Sequence, residues 1–152
     1  MPAVSAPIVR IATPQDVQAI LDLCWLAHEE RNERSLSKTK AEAMVRNCLN
    51  GGGVIGVIEV DGDIRAMVGL VISSVWCSED RELYDWLVFV RPDCRRLRYL
   101  SPLLRFARKQ AIRLRLPLWM GFIGGDRAEA KAAAYRRNFP GSEYGAFFRF
   151  TP

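Results

Sequence analysis

The apolar and polar positions of this chain repeat with periods that change along its length, and each period predicts an element. Ile8 to Ile11 is typical of a short strand. The residues Val17, Ile20 and Cys24 then recur at helical spacing and predict an amphipathic helix that reaches about residue 30. The dipeptide Thr13-Pro14 in front of them is typical of a helix start, because threonine caps a helix and proline suits its first position.

A second helix and a β-hairpin are predicted next. Ser35 or Ser37 is suited to cap a helix that runs to about Cys48 and ends at LNGGG. The apolar runs VIGVIEV and IRAMVGLVISSVW flank Asp61-Gly62, a dipeptide that favours a tight hairpin turn. Two antiparallel strands are therefore expected on either side of this turn.

The last third of the chain alternates strands with helices. LYDWLVFV, from Leu83 to Val90, is almost uniformly apolar and predicts a central strand. A basic helix follows it directly, and its apolar residues recur at intervals of three and four as one stripe: Leu100, Leu103, Leu104, Ala107, Ala111 and Leu114. After it come a strand at PLWMGFI, a helix at DRAEAKAAAYRRN and a final strand at EYGAFFRF. The pattern predicts an α/β (α+β) fold with a mixed central sheet of six to seven strands and helices on both faces.

Composition and charge bound the classes of function. The 152 residues fit one domain over residues 1–152, and the net charge of +5 comes from Arg91 to Arg115, which holds nine basic residues and one acid. This local excess indicates a phosphate-bearing partner at one site and argues against general nucleic-acid binding. No apolar run approaches the roughly 18 residues of a membrane span, and the N-terminus lacks a secretion-signal pattern, so a cytoplasmic protein is expected.

Two motifs in this order of elements carry a resemblance. VRPDCRRLRYLSPLL follows the fourth strand, and KAAAYRRNFPG lies in the last helix. Together with the element order, they make nearly the whole chain resemble the GNAT superfamily of N-acetyltransferases. Arg95 stands at the family's Arg or Gln position, and Leu103-Leu104 match its usual leucine pair. Arg98 and Leu100 occupy the two positions at which the family has glycine.

The resemblance implies a binding site for acetyl-CoA, used as a co-substrate. In the family the pantetheine arm lies beside the fourth strand, and the pyrophosphate faces the loop and first turn that follow. Ser101 before Pro102 fits an N-cap and a first helical residue, which predicts a helix start at this place. The residues matched to cofactor binding are Val88, Phe89, Val90, Arg95, Arg96, Leu97, Arg98, Tyr99, Leu100 and Ser101.

The resemblance also implies catalytic roles. Asp85 is the leading candidate for the base that removes a proton from the acceptor amine, and Glu82 is the second. Tyr135 stands where many family members have the tyrosine that protonates the leaving thiolate. A different reading stays open for each: Asp85 as a strand-end carboxylate paired with an arginine or water, and Tyr135 as a packing residue beside Phe139.

The function expected from the resemblance is transfer of an acetyl group from acetyl-CoA to a primary amine of a small molecule or protein. Two alternatives remain: a catalytically inactive protein of the same fold that binds coenzyme A or a partner, and a nucleic-acid binder that uses the Arg91 to Arg115 face. The sequence leaves the acceptor and a homodimer open. Trp25, Trp76, Trp86 and Trp119 lie in apolar segments and are expected mainly to fill the core, with the lining of an acceptor pocket by Trp76 or Trp86 as the alternative.

Overall fold

The computed structural model describes residues 7–32, 35–122, 127–145 and 149–152, and the side chains of Arg96 and Leu97 lie outside this description. The strands in the described residues are β1 (Val9–Ile11), β2 (Gly53–Val60), β3 (Asp63–Ser73), β4 (Glu82–Val90) and β5 (Leu118–Trp119). The α-helices there are α1 (Val17–Arg31), α2 (Lys38–Asn47), α3 (Leu100–Leu114) and α4 (Ala128–Asn138). None of these helices combines the length and apolarity needed to cross a membrane.

The strands form a mixed sheet in the order β1-β2-β3-β4-β5. The first four are mutually antiparallel, and β5 is parallel to β4. The hairpin predicted at Asp61-Gly62 is confirmed: both turn residues have positive φ angles, 55° and 79°, as a tight turn between twisted strands requires. The strand directions confirm the predicted mixed sheet, and the helices cover both of its faces, as described below.

The predicted number of strands is wrong for the described residues, which contain five strands and not six to seven. The apolar run PLWMGFI pairs only through Leu118 and Trp119, because its chain leaves β4 after these two residues. The predicted last strand, EYGAFFRF, includes residues 146–148, which lie outside the described residues, and its described remainder contains no strand.

Helices α1 and α2 cover one face of the sheet. The start of α1 follows a short 3₁₀ turn, in which Asp16 accepts a hydrogen bond from the Thr13 backbone amide at 2.7 Å. Ser37 caps α2 by accepting from the Lys40 amide at 3.3 Å, which confirms one of the two predicted caps. The core on this face is built from the following buried apolar residues of the helices and strands: Val17, Ile20, Leu23, Cys24, Val45, Ile55, Val57, Met67 and Phe89.

Helix α3 covers the opposite face, and α4 packs against α3. The predicted apolar stripe of α3 is buried as expected, with Leu103, Leu104 and Ala107 fully inaccessible to solvent. The core that they enter contains Val54, Ile58, Ala66, Val68, Leu70 and Leu83 from the sheet. Because α3 follows β4 after a short connection, its N-terminus lies close to the C-terminal end of β4.

Candidate active site

Strands β4 and β5 separate soon after they meet. They pair at Leu83 with Leu118 and at Tyr84 with Trp119, and β4 then continues to Val90 without a partner strand on this side in the described part of the chain. We call the opening the split, and its closed end at Tyr84 and Trp119 the apex. The split leaves main-chain groups of β4 without sheet partners, and such groups bind extended ligands.

The direction of the β4 amides identifies which groups face the split. The Arg91 amide donates to the Arg65 carbonyl of β3 at 3.0 Å. Because successive amides of a strand point to opposite edges, the Phe89 amide also faces β3, and those of Val88 and Val90 face the split. The Val90 carbonyl accepts from Arg95 Nε at 3.2 Å. Val88 therefore presents both its amide and its carbonyl to the split.

A bulge in β4 lies next to the apex. Gly69 of β3 is opposite Leu87, and Leu70 is opposite Asp85, so Trp86 is an extra residue without a partner. Its indole lies over Gly69, where an added Cβ would be 2.2 Å from the ring. Glycine at this position therefore makes room for the bulge, which redirects β4 at the point where the split begins.

Asp85 is the first residue beyond the apex. Leu83, two residues earlier in β4, packs against α3. Because side chains two residues apart in a strand point to the same face, the Asp85 side chain also lies on the face covered by α3 and α4. The carboxylate accepts a hydrogen bond from the Gly121 amide at 3.3 Å, across the split. Burial raises the pKa of Asp85 to about 6, against the opposite effect of that hydrogen bond.

Tyr135 of α4 lies beside Asp85. Its hydroxyl donates to the Gly121 carbonyl at 3.4 Å, so Gly121 bonds both side chains. The pKa of Tyr135 is raised, first by burial and then by the negative charge of Asp85. Its ring also packs against Phe122 and Phe139, with centroids 5.1 and 6.1 Å away. The structure thus brings the two predicted catalytic residues together, and their chemical roles stay a prediction.

The connection from β4 to α3 forms a 3₁₀ helix, Pro92–Leu97, followed by Arg98 in the left-handed conformation. The prediction that Ser101 caps α3 is wrong, because the helix begins at Leu100 with Tyr99 as its N-cap. The Ser101 hydroxyl accepts a hydrogen bond from the Asn138 side chain of α4 at 3.2 Å instead. An amide-bearing first turn still follows β4, as an anion site requires.

Comparisons of the chain with known proteins describe its overall architecture. No protein-family model matches the sequence, and no curated protein is significantly similar to it. Its structure is similar to an aminoglycoside acetyltransferase, meta-AAC0020, from an uncultured soil metagenomic sample, with a TM-score of 0.72, 12% identity, and 98% of this chain and 97% of that one covered. It is also similar to ribosomal-protein-alanine N-acetyltransferase from Brucella melitensis biovar Abortus 2308, with a TM-score of 0.66, 15% identity, and 95% and 99% of the chains covered.

The chain has the GNAT fold. A third similar structure, the integron cassette protein HFX_CASS3 from the mobile metagenome of Cole Harbour Salt Marsh, has a TM-score of 0.69, 17% identity and coverage of 95% and 91%. At such low identity the similarity describes the architecture, and the chemistry has to be argued from the residues. The fold predicted from the two sequence motifs is confirmed.

Within this GNAT fold, Arg95 is held by its own chain. Its guanidinium forms an ion pair with Glu30 at the end of α1, donates to the Val90 carbonyl, and lies 5.8 Å from the centre of the Phe89 ring. The predicted binding of phosphate by this side chain requires it to leave Glu30. The predicted contributions of the Arg96 and Leu97 side chains lie outside the described residues.

Arg98, which the resemblance places at a glycine position, has a φ angle of 57°, in the region that glycine adopts most cheaply. We expect Arg98→Gly to raise the free energy of unfolding by about 0.5 kcal/mol, because relief of strain exceeds the entropy that glycine adds to the unfolded chain. Arg105→Gly, at an exposed position inside α3, is the matched control and is expected to lower it by about 1 kcal/mol. Urea unfolding measures both, and equal losses would contradict the left-handed assignment.

An aromatic pair lies at the apex on the face opposite Asp85. The rings of Tyr84 and Trp119 are nearly parallel, with centroids 6.3 Å apart and planes inclined by 10°. The Tyr84 hydroxyl donates to Glu82. The expectation that all four tryptophans mainly fill the core is wrong, because Trp119 is 53% exposed and Trp76 is 97% exposed. No signal in the sequence indicates the pair, since a tryptophan in a short apolar run looks the same whether its strand is covered or not.

A separate open pocket of about 550 Å³ lies beside β1, away from the split. Its charged side chains satisfy one another: Arg10 donates to both Asp16 oxygens, at 2.7 and 2.9 Å, and to Glu59. Arg10 accordingly holds the pKa of Asp16 down at about 2. These charges stabilise the start of α1, and we assign the pocket no chemistry.

Proposed function

We propose that the protein is an acetyl-CoA-dependent N-acetyltransferase that moves the acetyl group directly to a primary amine. The observation that carries this proposal is the split, with a free main-chain edge at Val88 on one strand and both Asp85 and Tyr135 at its apex. A binding protein needs only the free edge. A carboxylate whose pKa is raised to about 6, beside a buried tyrosine, is the arrangement expected of a site that moves protons near neutral pH.

The co-substrate fits the described residues in three respects. Its pantetheine amides are suited to pair with the amide and carbonyl of Val88 as a strand would. Its phosphates are suited to the first turn of α3, where aligned peptide dipoles place a partial positive charge. Arg98 is exposed beside that turn and has no carboxylate within ion-pair distance among the described residues. The anionic tail would therefore extend over the face of α3.

In the proposed reaction, Asp85 accepts a proton from the acceptor ammonium, and the neutral nitrogen attacks the thioester carbon. The carbon–nitrogen bond forms as the carbon–sulfur bond breaks, and the electron pair leaves with sulfur. The Val88 amide would stabilise the carbonyl oxygen while it carries negative charge. Tyr135 donates its proton to the thiolate, and its raised pKa keeps that proton available at neutral pH. The newly bonded nitrogen then gives up its surplus proton to the Tyr135 oxygen, which leaves a neutral amide, a neutral tyrosine and free thiol.

The acceptor class rests on the chemistry of the site. Similar structures include an enzyme whose name describes acetylation of aminoglycosides and another whose name describes acetylation of a ribosomal-protein alanine. Both kinds of acceptor present an amino group. A base beside the apex also suits an amine acceptor, because an alkyl ammonium with a pKa of about 10 must lose a proton before its nitrogen attacks. A small-molecule or protein amine is therefore proposed.

The proposal is tested by measuring free thiol released from acetyl-CoA in the presence of a panel of primary amines. We expect turnover with wild-type protein and a fall of about tenfold in kcat for Tyr135→Phe, modest because a thiolate leaves without prior protonation more readily than an alkoxide. Acetyl-CoA is also expected to raise Tm, since a ligand that binds only the native state stabilises it.

The same measurements separate the alternatives. A rise in Tm with acetyl-CoA and coenzyme A, but no thiol release with any amine, would contradict transfer and support an inactive binding protein. A response to single-stranded DNA alone, with steep dependence on salt, would support a nucleic-acid binder instead. The exposed Arg105, Arg108 and Lys109 of α3 are the residues that this last alternative would use.

A further inference from the structure

One end of the molecule carries an exposed loop and the end of a helix side by side. Ser73 of β3 pairs with Glu82 of β4, so the loop that joins them, residues 74–81, lies at this end of the sheet. We call it the acidic loop. The Leu83 amide donates to the Pro117 carbonyl at 2.8 Å, which places the chain that leaves α3 next to the first residues of β4. The acidic loop and the C-terminal end of α3 are therefore neighbours at the surface.

The acidic loop combines exposed apolar and acidic side chains. Trp76 is 97% exposed, and Val75 beside it is exposed as well. Glu79 and Asp80 are also exposed, and within the described ranges their carboxylates have no hydrogen-bond or ion-pair partner. The single basic residue of the loop is Arg81. A tryptophan with polar and charged neighbours is the arrangement that protein interfaces favour, because the large ring is buried at the centre and the polar groups surround it.

The end of α3 beside this loop has the opposite charge. Arg108 and Lys109 lie one turn before Ile112 on the same face of the helix, and Arg115 follows the last helical residue. We call these four exposed residues the basic patch, in which Ile112 is 67% exposed. No carboxylate in the described part of the chain lies within ion-pair distance of the three cations. The apolar side chain among them favours a protein partner, since a phosphate backbone offers it no apolar contact.

We propose that these surfaces join two copies of this chain, with the acidic loop of each copy on the basic patch of the other. Because the two surfaces lie side by side, a two-fold rotation makes both contacts at once and closes the dimer. Their charges are complementary, and Trp76 and Ile112 leave water together at the centre of each contact. The dimer does not depend on acetyl transfer, because neither surface contains a residue of the candidate site.

The dimer is expected to be weak and sensitive to salt. Each contact involves one short loop and one helix end, which is less than permanent dimers use, so we expect a Kd on the order of 10 µM at low salt. In about 1 M salt the Debye length is only about 3 Å, and we expect this Kd to rise at least about tenfold. Sedimentation equilibrium measures both values. Dilute protein, as used for unfolding, is monomeric.

Trp76→Ala is expected to raise the dimer Kd at least about tenfold, because it removes the central apolar side chain of both contacts. Trp25→Ala is the matched control, since it removes a partly exposed tryptophan of α1 and is expected to change Kd by less than about twofold. A wild-type protein that stays monomeric at every concentration, or equal effects of the two variants, would overturn the proposal. Monomeric protein that binds single-stranded DNA through Arg108 and Lys109 would assign the basic patch to nucleic acid instead.

Charge reversal tests which surfaces pair. Glu79→Lys with Asp80→Lys reverses the acidic loop, and Arg108→Glu with Lys109→Glu reverses the basic patch. Each double variant alone is expected to be monomeric, because both of its contacts then join like charges. An equimolar mixture is expected to form a heterodimer, because one contact has both signs reversed and the other has neither. A mixture that stays monomeric, although urea unfolding shows both variants to be folded, would overturn the proposal.

Discussion

Asp85→Asn is expected to make the protein more stable and much less active. Asparagine removes the charge, keeps the shape, and retains an oxygen that accepts from the Gly121 amide. We expect kcat to fall by about 10²–10⁴-fold, the usual contribution of a positioned base. We also expect the free energy of unfolding at pH 8 to rise by about 2 kcal/mol, because asparagine removes the desolvation cost of burying a negative charge.

The stability gained by Asp85→Asn is expected to depend on pH, because the pKa of Asp85 differs between the folded and unfolded states. The pKa of Asp85 is about 6 in the folded protein and about 3.9 in an unfolded chain, so the folded state holds the proton more tightly. The contribution of Asp85 to stability therefore falls as pH rises from about 4 to about 6, and stays at its lower value above that. The gain from Asp85→Asn should accordingly vanish below pH 4. Activity should have the opposite dependence and decline below pH 6, where the wild-type carboxylate becomes protonated.

Urea unfolding at pH 8 and pH 4 measures the two stabilities, and thiol release measures kcat. Asp22→Asn, at an exposed position of α1, is the matched control and is expected to change stability by less than about 0.5 kcal/mol at both pH values. A loss of stability at pH 8 for Asp85→Asn would indicate a carboxylate held by favourable partners. That result, with unchanged kcat, would support the structural reading of Asp85.

Leu103→Ala is expected to lower the free energy of unfolding by about 3–4 kcal/mol. Leu103 is fully buried between α3 and the sheet, and removal of a buried leucine loses its transfer free energy and leaves a cavity in a closely packed core. A loss of this size is a large fraction of the stability of a domain. We also expect weaker binding of acetyl-CoA, because Leu103 fixes the first turns of α3 against the end of β4.

Ile112→Ala on the same helix is the control, since that side chain is 67% exposed and its truncation is expected to cost less than about 0.5 kcal/mol. Chemical unfolding gives both values. Similar losses for the two variants, or a loss below 1 kcal/mol for Leu103→Ala, would show that α3 does not pack on the sheet through this face.

The sequence predicted the fold well where local signals agree with burial. Ser37 and Asp61-Gly62 each mark a boundary that depends on a few neighbouring residues, and the structure has its boundaries there. At Thr13-Pro14 the structure begins a 3₁₀ turn, and α1 itself starts three residues after Pro14, at Val17. The predicted extent of the strand after α3 failed for the opposite reason. Its apolar residues satisfy a strand pattern, but pairing requires a neighbour at hydrogen-bond distance, and β4 and β5 diverge after Trp119.

The candidate site was predictable only in part. The positions of Asp85 and Tyr135 followed from the resemblance to the GNAT motifs, and the structure brings both to Gly121. The Tyr84–Trp119 pair was not predicted, because the two residues are far apart in sequence and meet only through the parallel pairing of β4 with β5. The engagement of Arg95 by Glu30 was equally invisible, since the two residues lie on separate elements.

The amino-acid sequence by itself determined the order of helices and strands, the hairpin, the buried stripe of α3 and the concentration of basic charge after β4. These features follow from periodicity and composition, which act between residues close in the chain. Only the tertiary structure decided where the split begins, which amides face it, and which side chains share its apex. These depend on the divergence of β4 and β5 and on the bulge at Trp86, which result from packing between distant segments.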